Sequence, residues 1–179
     1  MQQVGIYMAE HALVEWKPIL GFASYHVSNQ GEVMNIRTKR ILKPGILPNG
    51  YFFVILRKEK RSYNHYVHRL VALAFLDNPE MKPCVDHISR LKSDNAVANL
   101  RWCTHSENAM NRKKKPNTTS SYIGVCWCKT CRKWIAYISV DKRVRKLGYF
   151  TDELDAASAY NDAAVQFHKE FASLNPLDL

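Results

Sequence analysis

Residues 84–108 read CVDHISRLKSDNAVANLRWCTHSEN. Cys84-Val85-Asp86-His87-Ile88 has the length and composition of a short strand, and Leu100-Arg101-Trp102-Cys103 reads as a second one. Thr104-His105-Ser106-Glu107 is a capping box: the Thr hydroxyl serves the backbone N–H three residues on, and the Glu reaches back. It predicts a helix from about His105 to Arg112. Strand, loop, strand and helix in this order bring Asp86-His87, at the end of the first strand, against the first turn of the helix and Asn108. Neighbouring strand residues point in different directions, so one can hold a metal while the other reaches the far side of a phosphate. One carboxylate, one amide oxygen and several waters suit a magnesium ion. A neutral His beside it can take a proton from water attacking phosphorus. An Asp-His dipeptide alone is a weak signal, and most such pairs are structural.

Upstream, Val67 to Leu76 places apolar residues at Leu70, Val71, Leu73, Ala74 and Phe75, a helical spacing ended before Pro79. Before it, from Val14, the chain reads as short strands with turns between them. Asn29-Gln30-Gly31 separates two half-apolar runs and predicts a hairpin. Ile41-Leu42 and Tyr51–Leu56, the latter after Asn49-Gly50, extend the antiparallel pattern. Residues 1–13 carry no strong pattern and are expected to form an extension, followed by a β-rich module over 14–60 and the strand–strand–helix module over 61–112.

Downstream, residues 113–120 have linker composition, and Pro116 stops the preceding helix. Three apolar-alternating runs come after it, Tyr122–Cys128, Lys133–Val140 and Val144–Phe150. An amphipathic helix from about Asp152 to Lys169 is next, with Thr151 as its expected cap. These define a last module over 121–179. The chain carries a formal charge of +10, and the surplus is local. Residues 113–150 hold ten basic side chains and one acidic, while residues 151–179 hold one basic and six acidic. A basic sheet backed by an acidic helix points to a polyanionic partner, above all nucleic acid. The five cysteines are an odd number, against a secreted disulfide framework. Cys128 and Cys131, with Cys126 before them, have the spacing of half a zinc knuckle. Cys84 and Cys103 supply no second pair, so reduced thiols are expected. No apolar run is long enough to span a membrane and no secretory signal is visible, so the sequence predicts a soluble intracellular protein of cytoplasm or nucleus.

Val85-Asp86-His87-Ile88, Asp94-Asn95, Asn99-Leu100-Arg101-Trp102 and Thr104–Asn108 together closely resemble the ββα-metal motif of HNH nucleases. Val67–Phe75 looks like the helix leading into that motif in free-standing homing enzymes of phages and large viruses. Glu15–Ile19, Gly21-Phe22 and Tyr25–Gly31 resemble the nuclease-associated module fused ahead of it. The resemblance implies His87 as general base, Asp86 and Asn108 as ligands of one magnesium ion, with manganese as an alternative, and Asn99 as the Asn that bonds across the loop to hold His87. His105, one turn before Asn108, is the alternative ligand. Where the family usually has Asp-Gly, this chain has Ser89-Arg90. If that position needs a positive φ, losing the glycine costs roughly 1 kcal/mol.

Residues 120–175 resemble the DNA-binding domain of the Apetala/ethylene-response-factor family. The matching residues are Ser121–Val125 with Trp127, Trp134–Ile138, Leu147–Phe150, Ala156–Ala164 and Ala172–Asn175. This implies a three-stranded antiparallel sheet laid into the major groove of DNA with the helix packed behind. The groove-side candidates are Lys129, Arg132, Lys133, Trp134, Arg143, Arg145 and Lys146, with Trp127 beside them. The expected fold is α+β throughout. The expected protein is a monomeric, metal-dependent endonuclease of double-stranded DNA with no obligate protein partner. Its alternative is a non-catalytic DNA-binding regulator.

Overall fold

The computed structural model describes residues 13–114 and 118–177. The extension expected over residues 1–13 lies outside them but for Leu13, as do residues 115–117 of the linker. The architecture is mixed α+β, with antiparallel sheets and few helices. Four short strands, β1 (Trp16–Pro18), β2 (Tyr25–Ser28), β3 (Val33–Asn35) and β4 (Arg40–Ile41), pair in chain order. The expected hairpin is the β2–β3 pair, closed by a hydrogen bond from the Gly31 N–H to the Ser28 carbonyl at 3.1 Å.

A second sheet holds β5 (Gly45–Ile46), β6 (Phe52–Lys58) and β7 (Arg61–Tyr66). Strands β6 and β7 pair over six positions, from Phe53 opposite Tyr66 to Lys58 opposite Arg61. Glu59 and Lys60, at φ 51° and 63°, turn the chain between them, as a two-residue hairpin loop needs. The module boundary expected after residue 60 therefore falls inside a hairpin.

Helix α1 (Val67–Phe75) comes directly after β7. It buries Val67, His68, Leu70, Val71 and Ala72, the face set by three- and four-residue spacing. That face meets both N-terminal sheets and the third, a two-stranded ribbon of β8 (Cys84–His87) and β9 (Leu100–Cys103). One apolar cluster runs from Ile19, Val27 and Val33 through Leu56 and Val71 to Val85 and Leu100. The ribbon carrying Asp86-His87 is thus anchored in the core that also holds the N-terminal strands.

Helix α2 (His105–Met110) opens on the expected capping box, with Glu107 N–H on the Thr104 hydroxyl and Thr104 N–H on the Glu107 carboxylate. Past residue 118, β10 (Val125–Cys128), β11 (Lys133–Val140) and β12 (Arg143–Phe150) form a three-stranded antiparallel sheet. Helix α3 (Glu153–His168) packs across one face. Its cap is Asp152, which accepts from Leu154 N–H at 2.6 Å, rather than the expected Thr151; a carboxylate there also favours the positive helix end. Gly124 sits at φ +74° where an added Cβ would enter the Tyr160 ring, so only glycine lets α3 approach the sheet so closely. Among the described residues no helix is long and apolar enough to cross a membrane.

Candidate nuclease site

The ribbon, the loop between its strands and α2 enclose an open cleft of about 540 Å³ lined by Asp86, His87, Asn108 and Asn111, with Tyr51 at one wall and Arg90, Lys92 and Lys113 around it. Asp86 pairs with Arg101 across the ladder and His87 with Leu100. Both are nearly buried, at 6% and 4% exposure. A buried carboxylate needs partners. Arg101 gives its Nε and Nη2 protons to Asp86 Oδ2 at 3.0 and 2.8 Å, forming an ion pair. The Asn111 amide reaches Oδ2 at 3.0 Å and Oδ1 at 3.2 Å, and the carbonyls of His87 and Ile88 at 3.0 and 3.3 Å. Oδ1 is the carboxylate atom that the arginine leaves free.

His87 Nε2 lies 3.3 Å from Asn95 Oδ1. The Asn95 amide nitrogen donates to the Ser93 carbonyl at 3.2 Å, so its oxygen is the atom that faces the imidazole. Nε2 therefore carries the proton and Nδ1 the lone pair, which is the form a general base requires. Burial pushes the His87 pKa below its usual value, with the Asn95 bond and the Asp86 charge opposing it. The His68 ring stands edge-on to His87 at 5.1 Å. Desolvation first, then the neighbouring His87 and Arg69, lower its own pKa to about 4.

Asn99 bonds across the loop between the two strands, as expected. Its side chain accepts from Ser89 N–H and donates to the Asp94 carbonyl, both at 2.8 Å, and its carbonyl accepts from Ile88 N–H at 2.8 Å. The N-terminal module supports the same loop. Val97 N–H bonds to the Asn29 carbonyl at 2.8 Å, and a Cβ on Gly31 would stand 2.7 Å from the Asn95 Cβ. Arg90 adopts φ +66°, the left-handed conformation that a glycine would take without strain. His105 faces away from the cleft, with Nδ1 3.2 Å from Cys84 Sγ, so it does not join Asp86 and Asn108.

Asp86 and Asn108 offer one carboxylate and one amide oxygen to a cleft roomy enough for water, a donor set that fits a hard divalent ion. Among the described residues no three His, Cys, Asp or Glu side chains converge as a metal site.

In the C-terminal sheet the two faces differ. Residues paired across strands share a face. Lys133 pairs with Cys128, and Lys146 with Tyr137, on the face away from α3. The Lys146 ammonium donates to the Tyr149 hydroxyl at 2.8 Å. Lys129 and Arg132 are exposed at the β10–β11 turn. Trp134 stacks edge-to-face on Trp127 at 5.1 Å and packs against the cluster of Val125, Ala136, Ala156 and Ala157. Arg145 pairs with Ile138 and lies over the Phe167 ring at 5.2 Å, and Arg143 pairs with the buried Val140. Trp134, Arg143 and Arg145 thus lie on the helix side of the sheet, apart from Lys133 and Lys146.

Asn95, Arg101 and Asn111 were not singled out from the sequence as site residues. Asn95 and Arg101 stand inside the strand–loop–strand stretch, but nothing in their spacing says which group each will meet. Asn111 lies just past the last turn of α2, and only the folded chain turns it back to Asp86.

Comparison with known proteins places these features. Residues 15–57 match the NUMOD4 motif, and residues 65–110 match the HNH endonuclease family. An uncharacterized HNH endonuclease of Acanthamoeba polyphaga mimivirus is 40% identical over 151 residues, covering 80% of this chain and 38% of the relative. The DNA endonuclease I-HmuI of Bacillus phage SP01 is 39% identical over 103 residues, 57% of this chain and 59% of the relative. The chain thus spans less than two thirds of the length of either. A solved structure described as DNA binding and cleavage by the HNH homing endonuclease I-HmuI superposes with a TM-score of 0.52 at 41% identity, over 54% of this chain and 56% of that one. The chain thus matches the NUMOD4 motif and the HNH endonuclease family in tandem, over residues 15–57 and 65–110, and is similar to the DNA endonuclease I-HmuI over about half of its length.

Proposed function

We propose that this protein is a metal-dependent endonuclease of double-stranded DNA, of the HNH homing type, with a C-terminal sheet that positions it on its target. The observation that carries the reading is the convergence of Asp86, His87 and Asn108 on one cleft ringed by Arg90, Lys92 and Lys113, in a stretch that matches the HNH family. His87 takes a proton from water through Nδ1, and the resulting hydroxide attacks phosphorus. The bond to the 3′ oxygen breaks and that oxygen takes a proton from solvent water, leaving a 5′ phosphate and a 3′ hydroxyl. Asp86 Oδ1 and the Asn108 amide would hold one magnesium or manganese ion, which supplies charge stabilisation at the phosphate and the departing oxygen. Asn95 fixes the tautomer of His87 and Asn99 fixes the loop that carries it. The cations at the cleft rim neutralise the phosphates on either side of the scissile one.

Residues 120–175 act as a DNA reader like that of the Apetala/ethylene-response-factor family. Lys133 and Lys146 on the open face and Lys129 and Arg132 at the turn are the best placed to meet the phosphates and bases. Trp134, Arg143 and Arg145, on the other side, shape the sheet or reach the backbone from its edge. The modules are an N-terminal β-rich part, the nuclease and the reader, and the protein works as a monomer.

A plasmid assay tests the reading. Supercoiled DNA should be converted to open circles with magnesium or manganese and remain intact in EDTA. Tight DNA binding without cleavage in either metal would leave a DNA-binding regulator instead, a reading that the arginine already seated on Asp86 keeps open.

A further inference from the structure

The segment after α3 reaches out of its own module. At its far end it is pinned to the reader: Asn175 accepts from Ile123 N–H at 2.6 Å, donates to the Ile123 carbonyl at 3.1 Å, and its backbone N–H bonds to Asn161 at 2.8 Å. At its near end it touches the nuclease. The Glu170 carbonyl accepts from Arg101 Nη1. The Phe171 ring lies 4.0 Å from the Arg101 guanidinium carbon and 5.8 Å from the Lys82 ammonium. Ser173 accepts from Arg90 Nη1 at 2.6 Å and donates to the Arg112 carbonyl at 3.2 Å. Phe171 and Ser173 are buried, at 5% and 4% exposure.

These contacts fall on two residues of consequence. Arg101 uses its other two nitrogens to hold Asp86, so one planar guanidinium spans the site carboxylate and the C-terminal segment. Arg90 stands in the cleft wall with a left-handed backbone, where its side chain supplies the link to Ser173. A strained residue that provides a contact between modules is a reason to look for function there.

We propose that residues 169–173 are a working part of the nuclease cleft: they hold Arg101, and through it the Asp86 carboxylate, in the orientation that the cleft needs. The inference rests on the nuclease reading above. Arg101 and Phe171 are positioning residues. A guanidinium locked on both sides leaves Asp86 Oδ1 in one place. Freed of the Phe171 face, it takes up other rotamers and the carboxylate moves with it, and small displacements of reacting groups cost rate steeply. The C-terminal module then sets the geometry of the cleft as well as adding affinity.

The test uses the full chain with two substitutions. Phe171→Leu keeps an apolar side chain but removes the ring under the guanidinium. Ser173→Ala removes the link to Arg90. The first readout is the 1H–15N signal of Arg101 Nε in metal-free protein, identified by its loss in Arg101→Lys. It should shift or broaden in Phe171→Leu while the backbone spectrum stays native. The second is single-turnover nicking at saturating protein and magnesium beside DNA affinity by gel-shift. The rate should fall roughly tenfold in Phe171→Leu and about threefold in Ser173→Ala, with affinity changed less than about threefold. An unchanged Arg101 signal and rate in both variants, or a loss confined to affinity, overturns the proposal. Should Phe171→Leu fail to fold, Ser173→Ala decides alone. A wild type that never nicks sinks the nuclease reading, and the Arg101 signal still shows whether the segment governs that residue.

Discussion

His87 is a buried imidazole whose proton sits on the nitrogen facing Asn95. Because burial lowers its pKa, the neutral, base-competent form persists below the ordinary histidine value of about 6.5. The nicking rate should therefore hold level from neutral pH past 6.5 and drop only in more acidic buffer, a profile read by single-turnover cleavage at fixed metal. His68 makes a separate prediction about stability. Its pKa is about 4 in the folded protein and near the ordinary value when unfolded. Between those two values the unfolded chain binds more protons. Stability is therefore lost as pH falls from about 6.5 towards 4, and nothing further is lost from this group below that. His68→Leu should flatten that part of the thermal-midpoint profile relative to wild type. At this scale the meeting of Asp86, His87 and Asn108 in one cleft was legible, because they belong to a contiguous strand end and a well-capped helix. Asn95, Arg101 and Asn111 were not. Each takes its role from a partner brought close only by folding: the imidazole, the carboxylate across the ladder, and the carbonyls after β8.

Elements were readable where local chemistry settled them. The Thr104–Glu107 capping box formed on both sides, and its loss is measurable. Thr104→Ala should lower unfolding free energy by about 1 kcal/mol in urea denaturation, since two N-terminal N–H groups lose their partners. The end of α1 before Pro79 and the three C-terminal strands were equally plain from periodicity. The β6–β7 hairpin was hidden, because Glu59-Lys60 turns the chain with two positive φ values and none of the Asn or Gly that advertise such turns. Steric closeness is also silent in a sequence. Gly124→Ala should destabilise the C-terminal module by at least roughly 2 kcal/mol, because a methyl group there meets the Tyr160 ring at a backbone angle that disfavours it. A thermal melt monitored by tryptophan fluorescence would report this through Trp127 and Trp134.

Across the whole molecule, the charge distribution follows the architecture. The basic block maps to the linker and the C-terminal sheet, and the acidic block to α3 and the segment after it. If about six phosphates are neutralised, DNA affinity should fall about 10³-fold between 50 and 200 mM salt, and Lys146→Ala should reduce the log–log slope by about one. A slope unaltered by Lys146→Ala would remove that side chain from the interface. The relation between modules was beyond the sequence. A basic, proline-containing linker suggests independent units on a tether. In the structure the segment after α3 returns to Arg90 and Arg101, an encounter between residues 83 and 69 positions apart that no local pattern encodes.

The nuclease reading depends on hydrolysis of DNA in the cleft at Asp86 and His87. Wild type and His87→Ala, compared on one supercoiled plasmid with magnesium beside a gel-shift of the same preparations, test it at the reacting group itself. Wild type should nick in a metal-dependent way. The rate should fall by about 10² to 10⁴-fold in His87→Ala, as expected for loss of a general base, with DNA affinity retained. Nicking that survives the substitution at full rate would place the chemistry elsewhere and remove His87 from it.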